Sequence, residues 1–135
     1  MTNSHAWALV RIVLLGLTVL VSQQAVSHHS VSGQFDVTKK VVLVGMVKRV
    51  DWVNPHIYIH LDVPDGKGHV DTWKLNTIPV SMARRAGITK ESLLAQGQTL
   101  KMTAYPARDG TEHLGFVFRI DYPDGHFVLT SPDRM

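Results

Sequence analysis

From residue 39 onward the chain is a series of short runs in which apolar and polar residues alternate, separated by Gly, Pro and Asp. Alternation with period two marks half-buried strands, and those three residues are the usual turn formers. The first run, Val41 to Val53, is thirteen residues long with Gly45 inside it. Val42, Val44 and Met46 keep one phase around the Gly, whereas Val47, Val50 and Trp52 do not. A Gly at a phase change predicts a bulge or a sharp bend in one long strand. Asn54-Pro55 ends the run, because Pro lacks an N–H and holds the preceding residue extended.

The next run, His56 to Val63, is the cleanest. Ile57, Ile59, Leu61 and Val63 share one face, and His56, Tyr58, His60 and Asp62 share the other. Pro64-Asp65-Gly66-Lys67-Gly68 is a turn in which Pro presets φ and the Gly residues permit positive φ. His69 to Asn76 returns as the hairpin partner, with Trp73 and Leu75 on one side. The pattern then changes. Pro79 to Ala86 reads as a short helix stopped by Gly87, with Pro suited to the first turn and Gly to the position past the end. Thr89-Lys90-Glu91-Ser92-Leu93 reads as an N-capped turn. A fourth strand, Thr99 to Tyr105, points Leu100, Met102 and Ala104 inward. A fifth, His113 to Tyr122, carries Leu114, Phe116, Phe118 and Ile120 in phase, and His126 to Leu129 makes a short last strand.

A long bent strand, a hairpin, a helix and a second hairpin follow the element order of the OB-fold. The prediction is therefore a mainly β domain, residues 39–135: a small five- to six-stranded OB-like Greek-key barrel with one short helix between strands three and four. The helix favours the barrel over a small sandwich. Gly45 fits a first strand that serves both halves of the barrel.

Residues 1–27 stand apart. They contain no acidic residue, Arg11 is followed by a ten-residue, mostly apolar run from Ile12 to Val21, and Ala25-Val26-Ser27 places small residues at the end. This is the pattern of a secretory signal peptide cut after Ser27. An uncleaved anchor is the alternative, but a span needs roughly 20 apolar residues and would enclose Arg11. The expected protein is periplasmic or secreted, without stable membrane insertion, with residues 28–38 as a polar lead-in.

Charge and composition narrow the chemistry. Beyond residue 27 there are 13 Lys and Arg against 11 Asp and Glu, a net +2, too balanced for a nucleic-acid binder that works by phosphate neutralisation. Cysteine is absent, which excludes disulfides, thiolate catalysis and Cys-based metal sites. No phosphate loop or catalytic triad is present, so the domain reads as a binding protein rather than an enzyme. Histidine is abundant instead: seven of eight lie beyond residue 27.

Cleavage after Ser27 makes His28 the new terminus, where its amine and imidazole can chelate one ion. One more imidazole completes a three-nitrogen set that suits copper, with zinc or nickel less well matched. His29 offers an adjacent ring. His56, set by the stiff Asn54-Pro55 corner, is the best partner from the body of the chain. Asp36 and His113 are further candidates. His60 shares a face with His56 but lies roughly 13 Å away along the strand. His60, His69 and His126 read most simply as exposed strand or turn residues. Met46, Met82 and Met102 read as core fillers. Trp52, Asn54, Tyr58 and His60 outline a face for a ligand or an exported protein partner, although Trp52 and Trp73 also suit the core. Two readings stay open: a copper site at His28, His29 and His56, or a metal-free interaction module.

His28-His29-Ser30, Phe35-Asp36, Trp52-x-Asn54-Pro55-His56, Tyr105-Pro106-Ala107-x-Asp109-Gly110 and Pro123-Asp124-Gly125 resemble a family of small exported bacterial proteins of unknown function. The resemblance covers essentially all of the chain after residue 27. It departs at Val31, where the family usually has an aromatic residue, and at His126, where it usually has Arg. It implies an exported β-barrel domain and carries no established activity.

Overall fold

The structure is a computed structural model that describes residues 29–95 and 97–130. The chain divides into two compact units, residues 1–32 and 33–135. Of the first, the described residues 29–32 begin a short helix, α1 (His29–Gln34). The second holds β1 (Val41–Asp51), β2 (Tyr58–Pro64), β3 (Val70–Asn76), α2 (Val80–Arg85), α3 (Lys90–Leu93), β4 (Leu100–Pro106), β5 (Leu114–Asp121) and β6 (Phe127–Leu129). No described helix is long and apolar enough to cross a membrane.

The architecture is mainly β: a closed five-strand barrel with one extra strand, of OB-like form. Around the barrel the order is β3-β2-β1-β4-β5, and β5 closes onto β3. Every pairing is antiparallel except that closing one, which is parallel over Lys74↔Leu114 to Asn76↔Phe116. The core is the inward half of each alternation: Ile59, Leu61, Leu75, Leu100, Met102, Ala104, Val117 and Ile120 are all inaccessible to solvent. Two short helices, rather than one, join β3 to β4. The Thr89 turn forms the second, with a reciprocal cap in which Thr89 Oγ1 accepts from the Ser92 amide and Ser92 Oγ accepts from the Thr89 amide. The helices and their flanks bury Ile78, Ala83, Ile88 and Leu93.

The long first strand serves both halves of the barrel, as expected, but the role of Gly45 differs. Val41–Gly45 pair with β4, and Met46–Asp51 pair with β2. Gly45 is the point of handover. A Cβ there would lie 2.9 Å from the Asp62 carbonyl carbon and closer still to its oxygen. The residue is needed for close backbone approach, while the bulge itself falls later, between Val47 and Arg49. Because Leu43 and Gly45 take the inward positions, Val42, Val44 and Met46 face out. Met46 is 55% exposed and is not a core filler, whereas Met102 is.

A second bulge, where β4 and β5 shift register after Thr103, corrects the expected phase of β5. Phe116 and Val117 are both buried, and Phe118 turns outward. The carbonyl of Val117 accepts hydrogen bonds from the buried hydroxyls of Thr77 and Thr130. Two buried Thr hydroxyls thus find their acceptor in one backbone carbonyl next to the bulge. Trp52 and Trp73 are half-buried rather than core; Trp73 packs against the His113 ring at 5.3 Å between centroids.

Candidate functional site

His56 follows a cis Asn54-Pro55 peptide and lies two positions ahead of the start of β2. Its half-buried ring is held by Nδ1, 3.2 Å from the carbonyl oxygen of Thr77. A carbonyl only accepts, so Nδ1 carries the proton in the neutral ring and Nε2 keeps its lone pair. The Thr77 amide in turn donates to Ile57 O, which fixes the carbonyl that orients the ring.

The lead-in is anchored to the end of β4 and the loop that follows it. Phe35 bridges to Ala107 and is 3% exposed, Asp36 N donates to Pro106 O at 2.9 Å, and Arg108 N donates to Gln34 O at 2.9 Å. The Phe35 ring meets Phe116 at 5.8 Å, and Phe116 is the register partner of Asn76, the residue before Thr77. The segment just ahead of β1 and the His56 corner therefore meet the same stretch of the β3–β5 seam. Asn76 lies in that seam, paired with Tyr58, and its Oδ1 is buried without a hydrogen-bond partner among the described residues. Sequence reasoning passed over Asn76, since a polar residue closing an alternating run looks like a strand terminator.

The remaining candidate ligands do not join His56. Asp36 accepts from the amide and hydroxyl of Thr38 and pairs with Lys39 at 3.3 Å. These contacts, chiefly the Thr38 hydroxyl, hold its carboxyl below the ordinary range. His113 Nε2 lies 3.6 Å from Asp71 Oδ2, and His69 Nε2 lies 3.2 Å from Oδ1 of the same carboxylate. His28 lies outside the described residues; of His29 only its helical backbone is described. Among the described residues, no three His, Asp or Glu side chains converge where one ion would fit.

On the outer face of β1, β2 and β3, the expected face residues Tyr58 and His60 join three that sequence reasoning missed: Arg49, Asp51 and Lys74. His60 Nε2 stands 2.9 Å from both Asp51 Oδ2 and Arg49 Nη2, and Arg49 Nε is 3.1 Å from Asp51 Oδ1. The Asp51 carboxyl is held below its ordinary range, chiefly by the His60 hydrogen bond and then by the Arg49 charge. Lys74 Nζ lies 4.6 Å above the Tyr58 ring. Trp52 and Asn54 stand just past the end of β1, half-buried and exposed respectively. The cluster depends on the β1–β2 register, in which Arg49 opposes His60 and Asp51 opposes Tyr58. That register was the missing signal.

In comparison with known proteins, a family model described as a family of unknown function (DUF6152) matches residues 16–116. No curated protein and no solved structure matches the chain.

Proposed function

We propose, for a chain that belongs to the family of unknown function DUF6152, that residues 1–27 are an export signal removed after Ser27. The domain that remains is then a small periplasmic binding protein for copper, with zinc or nickel as poorer fits. The observation that supports this reading is the His56 imidazole. Its Nδ1 proton is committed to a backbone carbonyl, and its Nε2 lone pair is oriented by that bond, the arrangement commonly found around metal-binding histidines. In this reading the set is completed by the new terminus: the amine and imidazole of His28, with His29 adjacent. The role is handling copper or delivering it to an exported oxidoreductase.

The test begins with the mass of the exported protein, which establishes the terminus. Copper content and the Cu(II) EPR spectrum follow. Nitrogen hyperfine structure is expected, and should be weakened or altered in His28→Ala and again in His56→Ala. Undiminished copper binding by a protein carrying both changes would overturn the reading.

A metal-free interaction module is the second reading, supported by the Arg49–Asp51–His60 cluster and the Tyr58–Lys74 pair. They lie on the strand-two and strand-three side through which such barrels often bind. A stoichiometric exported protein partner whose capture is unaffected by chelator, and is lost in Tyr58→Ser, would favour it.

A further inference from the structure

The outer face of β4, β5 and β6 carries a second constellation, independent of the histidines. The bulge after Thr103 turns Phe118 out of the core, where it stacks on Tyr105 with centroids 4.4 Å apart and planes 22° apart. Lys40 Nζ lies 5.3 Å from the Phe118 centroid. Among the described residues no carboxylate is within ion-pair distance of that ammonium. One strand over, the Arg119 guanidinium carbon lies 3.9 Å above the ring of Phe127. Asp121 holds Arg119 in place: Nε donates to Oδ1 and Oδ2 at 2.9 and 3.0 Å, and Nη2 donates to Oδ1 at 2.6 Å. With Thr103 and Leu129, these side chains bound a groove of ≈ 490 Å³, a volume ordinary for small-molecule sites.

Three features indicate what fits. Aromatic rings are normally used to fill a small core, yet three of them line one patch of this surface. A bulge is a recognised means of re-aiming a side chain, and here it delivers Phe118 to that patch. The charges are unequal in kind. Arg119 is neutralised by Asp121 and contributes a flat surface, while Lys40, at the groove's edge, has no carboxylate partner among the described residues. Flat apolar walls beside a cation without a described carboxylate partner match a planar ring that bears an acidic group.

We propose that this groove binds a planar aromatic anion, its ring against Tyr105, Phe118 and Phe127 and its acidic group on the Lys40 ammonium, with the Thr103 hydroxyl as a second polar contact.

The probe is anilinonaphthalene sulfonate, titrated by fluorescence into the protein isolated from expression of the full chain, with the neutral phenylnaphthylamine as its uncharged counterpart. Saturable sulfonate binding is expected, with amide NMR shifts confined to the neighbourhood of Thr103, Phe118, Arg119 and Phe127. Lys40→Gln should weaken it about threefold to fivefold, the size of one exposed charge pair, and leave the neutral probe unchanged. Phe127→Ser, checked for an unchanged urea midpoint, should weaken both probes about tenfold, on the order of one lost stacking contact. Shifts centred instead on the exposed Val42–Met46 stripe, equal affinity for the two probes, or no saturable binding would each overturn the proposal.

Discussion

Replacing Gly45 by Ala adds a single methyl group at a position where the backbone conformation is ordinary for any residue, so the outcome isolates one contact. The new Cβ would meet the Asp62 carbonyl carbon at 2.9 Å and Val63 Cα at 3.3 Å, with the Asp62 oxygen nearer than either. All three are main-chain atoms of β2, which cannot rotate away as a side chain would. Relief requires β1 and β2 to separate where their pairing begins, at Met46↔Asp62. In an open strand position the same change would gain roughly 0.5–1 kcal/mol. Here overpacking costs about 1–3 kcal/mol or more, and the lost ladder hydrogen bonds add about 1 kcal/mol each. A net loss of about 3 kcal/mol is expected. With a urea slope of about 1–1.5 kcal/mol/M for a domain of this size, the midpoint of the isolated protein should fall by roughly 2 M. Gly66→Ala is the control: that residue has a positive φ of 75° but open space around its Cβ direction, and it should lose only about 1 kcal/mol. A midpoint for Gly45→Ala within about 0.5 M of the unaltered protein would refute the argument that this residue is set by backbone approach.

The second bulge predicts unequal costs for neighbouring aromatics. Phe116→Ala should lose about 3–5 kcal/mol and Phe118→Ala about 1–2 kcal/mol, chiefly its ring pairing with Tyr105; equal losses in urea unfolding would restore the in-phase strand. The Asp51 carboxyl should titrate below its ordinary 3.8 in carbon-detected NMR, and His60→Ala should raise its midpoint more than Arg49→Met does. Because this pKa is depressed in the fold, its stabilising contribution is present above 3.8 and lost as pH falls through the folded value. An Asp51→Asn variant should therefore lose less stability between neutral pH and pH 3 than the unaltered protein, and a matching acid profile would count against the cluster. Thr89→Ala removes the side-chain half of the α3 cap and should cost about 1 kcal/mol in the same unfolding assay.

What could be read from the sequence divides along a physical line. Strands with an unbroken alternation, such as β2 with Ile59 and Leu61 buried and Ile57 just ahead of it in the same phase, were legible, because each residue's face follows from its neighbours. The order of elements then implied the barrel. The two misread phases, Met46 and Phe118, sit at bulges or at a strand handover, where the face is decided by a partner strand distant in sequence. A one-residue slip reverses every side chain beyond it, and nothing local announces it.

The same division governs the histidines. His69 with Asp71, and His126 with Asp124, are two residues apart in extended or turning chain, and those pairs can be anticipated from spacing alone. His60 with Asp51 needs the β1–β2 register, and His113 with Asp71 needs the parallel β3–β5 closure, so both were invisible beforehand. The fold thereby sorts an apparent excess of imidazoles into four rings set against carboxylates and one, His56, set against a backbone carbonyl. A ring whose partner is a neutral, immobile acceptor is fixed in orientation without being enclosed in a local ion pair. That separates His56 from the other described histidines on geometry, independently of its place in the sequence, and makes it the side chain on which the copper reading stands or falls.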